Sequence, residues 1–209
     1  MTKHEIQTLT QEQAHKLLEA AHGHRLEALL TVAVTTGMRR GELLGLRWQD
    51  IDFTNRSLYI RRTANYYPGF GHVENEPKTL RSRRKVVLPQ FVIETLKRHR
   101  VTQDELRQKV GSAWHDYDLV FCNTLGSYQE TQYLGDLLRA LLKEAGLPPI
   151  RFHDLRHSAA TIMLSMGVHP KVVQELLGHS NISMTMDTYS HVLPSMQQEA
   201  MDRLNDLFQ

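Results

Sequence analysis

Residues 151–164 read RFHDLRHSAATIML, and residues 170–179 continue as PKVVQELLGH after a break at Gly167. Side chains three and four apart share a helix face, so His153, Arg156 and His157 project from neighbouring points of one surface while Leu155, Ala159 and Ile162 turn to a core. Pro170 suits a first helical position, where its missing N–H loses no bond, and Val172, Val173, Leu176 and Leu177 supply an inner side before Gly178 stops the helix. His179 sits just past that stop. Ten residues on, NISMTMDTYSHV carries Tyr189 behind Asp187 and Thr188.

A chemistry explains such a gathering. Cleaving a phosphodiester requires stabilising the charge that builds on two non-bridging oxygens, and a guanidinium offers them a permanently charged donor fork. Arg156 is one such fork. A tyrosine hydroxyl ionises with a pKa of about 10, so it becomes a nucleophile only among cations and a proton acceptor. The ordered motifs HxLRH, LLGHS and TxxTY resemble the second half of the catalytic domain of tyrosine recombinases, the phage and transposon integrase family.

The resemblance extends upstream. Residues 36–48, TGMRRGELLGLRW, resemble the first arginine box of that family, with Arg39 in the place of its first active-site arginine and Glu42 at its acidic position. Arg40 is read as a solvated helix start, and Glu42 as a carboxylate that holds an arginine or histidine of the pocket. Residues 76–89, EPKTLRSRRKVVLP, resemble the family's β-hairpin segment, with Lys78 matching the lysine that reaches the minor groove. Its ammonium would protonate the departing 5′ oxygen.

From Ser57 the pattern changes from helical spacing to alternation. SLYIRR and RRKVVLP read as strands of a small antiparallel sheet, joined by a long connection through residues 65–71. Basic residues dominate this region, and Arg61, Arg62, Arg81, Arg83, Arg84 and Lys85 are expected to meet a DNA backbone. Elsewhere the chain reads as helices. Thr10 to Gln13 forms a capping box, Leu26–Val34 is more apolar, and Phe91–Val110 reads as one or two amphipathic helices. DYDLVFCN at 116–123 reads as extended and TQYLGDLLRALLKEAGLPP at 131–149 as a helix ended by glycine and a proline pair. The tail from Leu193 has Met196, Ala200, Leu204 and Leu207 near helical spacing.

Composition sets the bounds. A chain of 209 residues buries a full core as one domain. The net charge of +2 does not identify a nucleic-acid binder, so that argument rests on where the basic residues lie. Cys122 is the only cysteine, which rules out an internal disulfide and an all-cysteine zinc site. The N-terminus lacks the apolar core of a signal peptide, and no run approaches about 18 apolar residues, which gives the expectation of a cytoplasmic protein with no membrane role. Of the twelve histidines, His4, His15, His22, His24, His99 and His115 are scattered among polar residues and carry no assigned chemistry.

Two rival readings have sequence support. His153-Asp154-Leu155-Arg156-His157 imitates the HExxH zinc-hydrolase pattern, although aspartate is a shorter base than glutamate and an arginine beside a metal repels it. Residues 159–177 also resemble a helix-turn-helix, as in a DNA-binding regulator or an inactive integrase homologue.

The expectation is therefore a mainly α fold with a small antiparallel β-sheet, a tyrosine recombinase catalytic domain over residues 1–193 followed by a C-terminal amphipathic helix or tail over 194–209. The resemblance implies an active-site set of Arg39, Lys78, His153, Arg156, His179 and Tyr189, supported by Glu42 and His157. Tyr189 would attack a DNA phosphate, form a 3′-phosphotyrosine and release a 5′ hydroxyl, with no metal or other cofactor. It further implies double-stranded DNA as partner, a tetrameric synapse on DNA, and a monomer when free; the C-terminal helix is read either as docking on its own domain or, as the resemblance suggests, as exchanged between protomers. Family members carry an N-terminal DNA-clamping domain, so this chain is expected to be a fragment.

Overall fold

In the computed structural model the described residues are 7–76, 83–178, 201, 202, 204–206 and 208. Thr10 opens the first helix as its spacing predicts. Its hydroxyl accepts from the Gln13 backbone at 3.2 Å, while the Gln13 side chain accepts from the Thr10 backbone at 3.0 Å. Helix α1 (Gln11–Ala20) lies against α2 (Glu27–Thr36). Every residue of α2 from Ala28 to Val34 is buried, as expected of a helix apolar on all sides. It is the hub on which α1, α4 (Gln90–Val110) and α6 (Asp154–Ser165) pack, with the short α3 (Arg40–Leu44) following directly.

Strands β1 (Ile51–Asp52), β2 (Ser57–Ile60) and β5 (Arg84–Val87) form an antiparallel sheet with β2 in the middle. Leu58 pairs with Ile51 on one side and Val86 on the other, and all three are buried. The segment expected to be a plain connection contains a second sheet instead. Its strands β3 (Thr63–Tyr67) and β4 (Gly71–Asn75) pair from Thr63 opposite Asn75 to Tyr67 opposite Gly71. The turn uses Gly69 at φ 82°.

This hairpin lies against α3, where a side-chain carbon on Gly45 would come within 3.1 Å of the Ala64 backbone. It is also tied to the body through Glu74, which accepts from Arg47 at 2.9 Å and from the Tyr128 hydroxyl at 2.9 Å. Phe91–Val110 resolves as a single helix within α4. The expected extended run 116–123 makes bridges of Leu119 to Arg47 and of Cys122 to Tyr128. Helices α5 (Thr131–Glu144), α6 and α7 (Pro170–Leu177) complete the described core. Among the described residues no helix is long and apolar enough to cross a membrane.

Candidate active site

The last carbonyls of an α-helix have no partner inside the helix. At the end of α7 three arginines, from β5, from α6 and from the residue that precedes α3, supply those partners. Arg84 of β5 donates through Nε to the Leu176 carbonyl at 2.6 Å, and Arg156 of α6 donates to Leu177 at 2.9 Å. Arg39, the residue before α3, reaches Gly178 at 3.5 Å. Cations also complement the negative end of the helix dipole. Gly178 caps this helix at φ 68°, the left-handed conformation that suits glycine.

Arg156 is 4% exposed, and its second donor binds the carbonyl of Gly37 at 2.8 Å. Gly37 closes α2 at φ 62°, where a side-chain carbon would stand 2.5 Å from Leu177 and 3.3 Å from Ala159. Only glycine allows the ends of α2, α6 and α7 to approach this closely. Arg39 is more open, with 38% of its side chain exposed.

Glu42 is 2% exposed and joins two of the arginines. Its oxygens accept from the Arg39 backbone at 2.8 Å, from the Arg39 guanidinium at 3.0 Å, and from both terminal nitrogens of Arg84 at 3.0 Å. Burial pushes the Glu42 carboxyl upward, but hydrogen bonding and charge from Arg84, then the contacts of Arg39, outweigh it and hold the group below its usual range.

His153 is exposed at the start of α6, and its ring meets that of His157 edge to face at 5.2 Å between centroids. Although the residue is exposed, partial shielding of its ring from solvent lowers the pKa of His153 below 6.5, and the charges of Arg156, Arg151 and Arg39 act in the same direction against the opposing pull of Asp154. His157 is lowered chiefly by burial and then by His153. His153 is thus a neutral imidazole near pH 7, able to accept a proton.

The structure brings Arg39, Glu42, His153, Arg156 and His157 to one place. Lys78, Arg81, His179 and Tyr189 lie outside the described residues. Around the expected DNA-facing surface, Arg61, Arg62, Arg83 and Lys85 line an open groove of about 760 Å³ with Tyr59. The Arg61 guanidinium lies 5.6 Å and the Lys85 ammonium 5.7 Å from the centre of the Tyr59 ring. Arg62 is largely turned inward onto the buried carboxylate of Asp50.

Arg84 departs furthest from its expected role as a backbone contact, since its side chain is 7% exposed and clamps Glu42. A signal for this was present. On a strand residues 84 and 86 share a face, and Val86 is core, so Arg84 points inward while Arg83 and Lys85 point out.

The rival readings fare differently. Asp154, the would-be base of a zinc hydrolase, is 4% exposed and held by the Arg151 guanidinium through bonds of 3.0 Å to each oxygen. Helices α6 and α7 follow one another and are in contact, as the helix-turn-helix reading needs, but the end of α7 is built into the arginine cluster. Tyr128, another available hydroxyl, has its pKa pushed up to about 12 by burial and by its bond to Glu74. That makes it a poor nucleophile.

Comparison with known proteins gives a consistent assignment. A tyrosine recombinase XerC-like protein of Caldanaerobacter subterraneus is 41% identical over 215 residues, covering 98% of this chain and 55% of the relative. The solved structure of the Tn1549 transposon integrase in complex with transposon right end DNA superposes with a TM-score of 0.82 at 24% identity, covering 98% of this chain and 68% of that one. The XerH site-specific recombinase bound to palindromic difH substrate, a post-cleavage complex, has a TM-score of 0.68 at 27% identity, covering 95% and 53%. This chain spans about half the length of the curated relatives it matches. The family model described as the phage integrase family matches residues 7–196, and with the fold and the arginine cluster in agreement, the chain belongs to that family of tyrosine recombinases.

Proposed function

We propose that this chain cleaves and rejoins DNA strands through a 3′-phosphotyrosine formed on Tyr189, as the catalytic domain of a site-specific recombinase. The observation that carries this reading is the meeting of Arg39 and Arg156 beside His153 at the carbonyl end of α7. Two guanidinium groups held from opposite parts of the chain suit the two non-bridging oxygens of one phosphate. Their backbone bonds fix them before substrate arrives, so little reorganisation is needed in the transition state.

In this scheme the Tyr189 oxygen attacks phosphorus and forms the P–O bond while the bond to the 5′ oxygen breaks. His153 or His179 takes the tyrosine proton, and Lys78 delivers one to the leaving oxygen. Attack by a 5′ hydroxyl on the phosphotyrosine reverses the same exchange and restores the tyrosine. The energy of the broken bond stays in the protein–DNA link, so no metal or nucleotide is called for in this scheme.

Double-stranded DNA is the proposed substrate, since XerH is bound to difH substrate in its solved complex and the basic residues lining the groove here outnumber its acids, Glu74 and Glu76, the latter paired with Arg83. The tail is proposed to pack on a neighbouring protomer in a tetramer assembled on DNA. Met201, Leu204 and Phe208 support this, being 51%, 45% and 82% exposed on their own chain.

The test is a nicked suicide duplex, in which the released fragment diffuses away and strands the covalent intermediate. Denaturing electrophoresis should show a protein–DNA adduct, and mass spectrometry should map it to Tyr189. Tyr189→Phe should abolish the adduct and Tyr128→Phe should leave it. An adduct unchanged in Tyr189→Phe would overturn the proposal.

A further inference from the structure

We propose that Arg84 is a positioning residue for strand cleavage, setting the Arg39 guanidinium through Glu42 and locking the carbonyl end of α7. This inference rests on the strand-cleavage reading above. Arg84 spends its planar fork on two targets at once. Nη1 and Nη2 meet the two oxygens of Glu42 at 3.0 Å each, and Nε meets the Leu176 carbonyl at 2.6 Å.

Glu42 in turn holds Arg39 by backbone and side chain, at 2.8 and 3.0 Å. The guanidinium of Arg84 also fills the space over Gly178, where a side-chain carbon would stand 2.8 Å from its nitrogen. One buried cation thus joins β5 to the carbonyl end of α7 and, through Glu42, to α3, which Arg39 immediately precedes.

The geometry separates this role from charge alone. A lysine at 84 keeps the charge but presents a single rotatable ammonium, which cannot hold both Glu42 oxygens and the carbonyl in one plane. Arg39 would then keep its partner carboxylate but lose its fixed orientation. The loss should fall on the step in which Arg39 balances charge on the scissile phosphate.

The experiment uses the 209-residue chain and a pool of nicked duplexes with randomised bases around the nick. Duplexes recovered from the wild-type adduct define one cleavable sequence. That sequence is then made in two forms, with an ordinary phosphodiester or a methylphosphonate at the scissile position. A methyl group in place of one non-bridging oxygen removes the charge that an arginine must balance.

Arg84→Lys should slow adduct formation about 10- to 100-fold on the phosphodiester, by analogy with the loss when a partner that orients a metal ligand is removed, and only within about threefold on the methylphosphonate. Glu42→Gln, which cuts the same link from its other side, should show the same contrast. Both rates are read on one preparation, so their ratio does not depend on how much of a variant is folded. An equal loss on both substrates would mean a merely structural role and would overturn the proposal, as would no loss on either. A wild type that forms no adduct on any duplex would instead remove the cleavage reading on which it rests.

Discussion

Arg156 illustrates why a single residue in this site resists substitution twice over. It bridges the carbonyls of Gly37 and Leu177 from a position 4% exposed, so replacing it removes a cation and leaves buried acceptors without those donors. A buried polar group stripped of its partner costs about 1–3 kcal/mol. Arg156→Ala should therefore lower stability, and it should also reduce cleavage on the order of 10³-fold or more, as for other arginines that serve phosphoryl transfer. Single-turnover rates measured well below the melting point separate the two effects, and a loss under tenfold would contradict the assigned role.

The histidines add a pH dependence whose sign follows from their environment. His153 and His157 have folded pKa values below 6.5, His153 through lost solvation and then Arg156, and His157 through burial and then His153. Their neutral forms are favoured by the fold. Their contribution to stability is thus full above pH 6.5 and is lost as pH falls through the lowered folded values. Melting temperatures should drop from neutral pH toward pH about 5, and His157→Gln should flatten that dependence.

At the scale of elements, the site depends on the closeness of three helix ends, and Gly37 sets that distance. Gly37→Ala puts a methyl group 2.5 Å from Leu177 at a φ of 62°, where a side chain is strained in any case. Strain and overpacking together should cost roughly 1–3 kcal/mol in chemical denaturation. The cleavage rate should fall as well, because strain at residue 37 shifts its own carbonyl, an acceptor of Arg156.

The sheet face makes a separate prediction. Arg61 and Lys85 flank Tyr59 in the open groove, and each phosphate contact contributes about one unit to the slope of log affinity against log salt. Arg61→Ala with Lys85→Ala should weaken DNA binding and flatten that slope by about two. An unchanged slope would place the DNA elsewhere. Arg84 would have no such effect through a phosphate contact of its own, since its fork is committed to Glu42.

For the whole molecule, local signals carried the helices well. The capping box at Thr10, the proline that opens α7 and the glycines that close α2 and α7 each act through their immediate neighbours, so the sequence displays them. The hairpin 63–75 was hidden because its partners are polar and aromatic rather than alternating apolar residues, and Glu74 anchors it to distant Arg47 and Tyr128. The meeting of Arg39 with Arg156 was legible only through the family resemblance, since spacing alone cannot bring residues so far apart together. Arg84 needed the strand's two-residue period to be applied to a charged residue, against the usual expectation that arginine faces water.

The tail raises the last question of scale. Leu204 and Phe208 leave apolar surface in solvent, and exposing a large side chain forgoes about 1.5–3 kcal/mol of burial that a partner surface would recover. A second protomer brought near on DNA offers such a surface at high effective concentration, whereas a free chain at micromolar concentration does not. Truncation after Pro194 should therefore leave the melting temperature and single-site DNA binding nearly unchanged while abolishing higher assemblies on two-site DNA. Sedimentation velocity with and without DNA reads this directly. A truncated chain that still assembles on DNA would place the contact in the body of the domain, and one that melts earlier would place the tail on its own core.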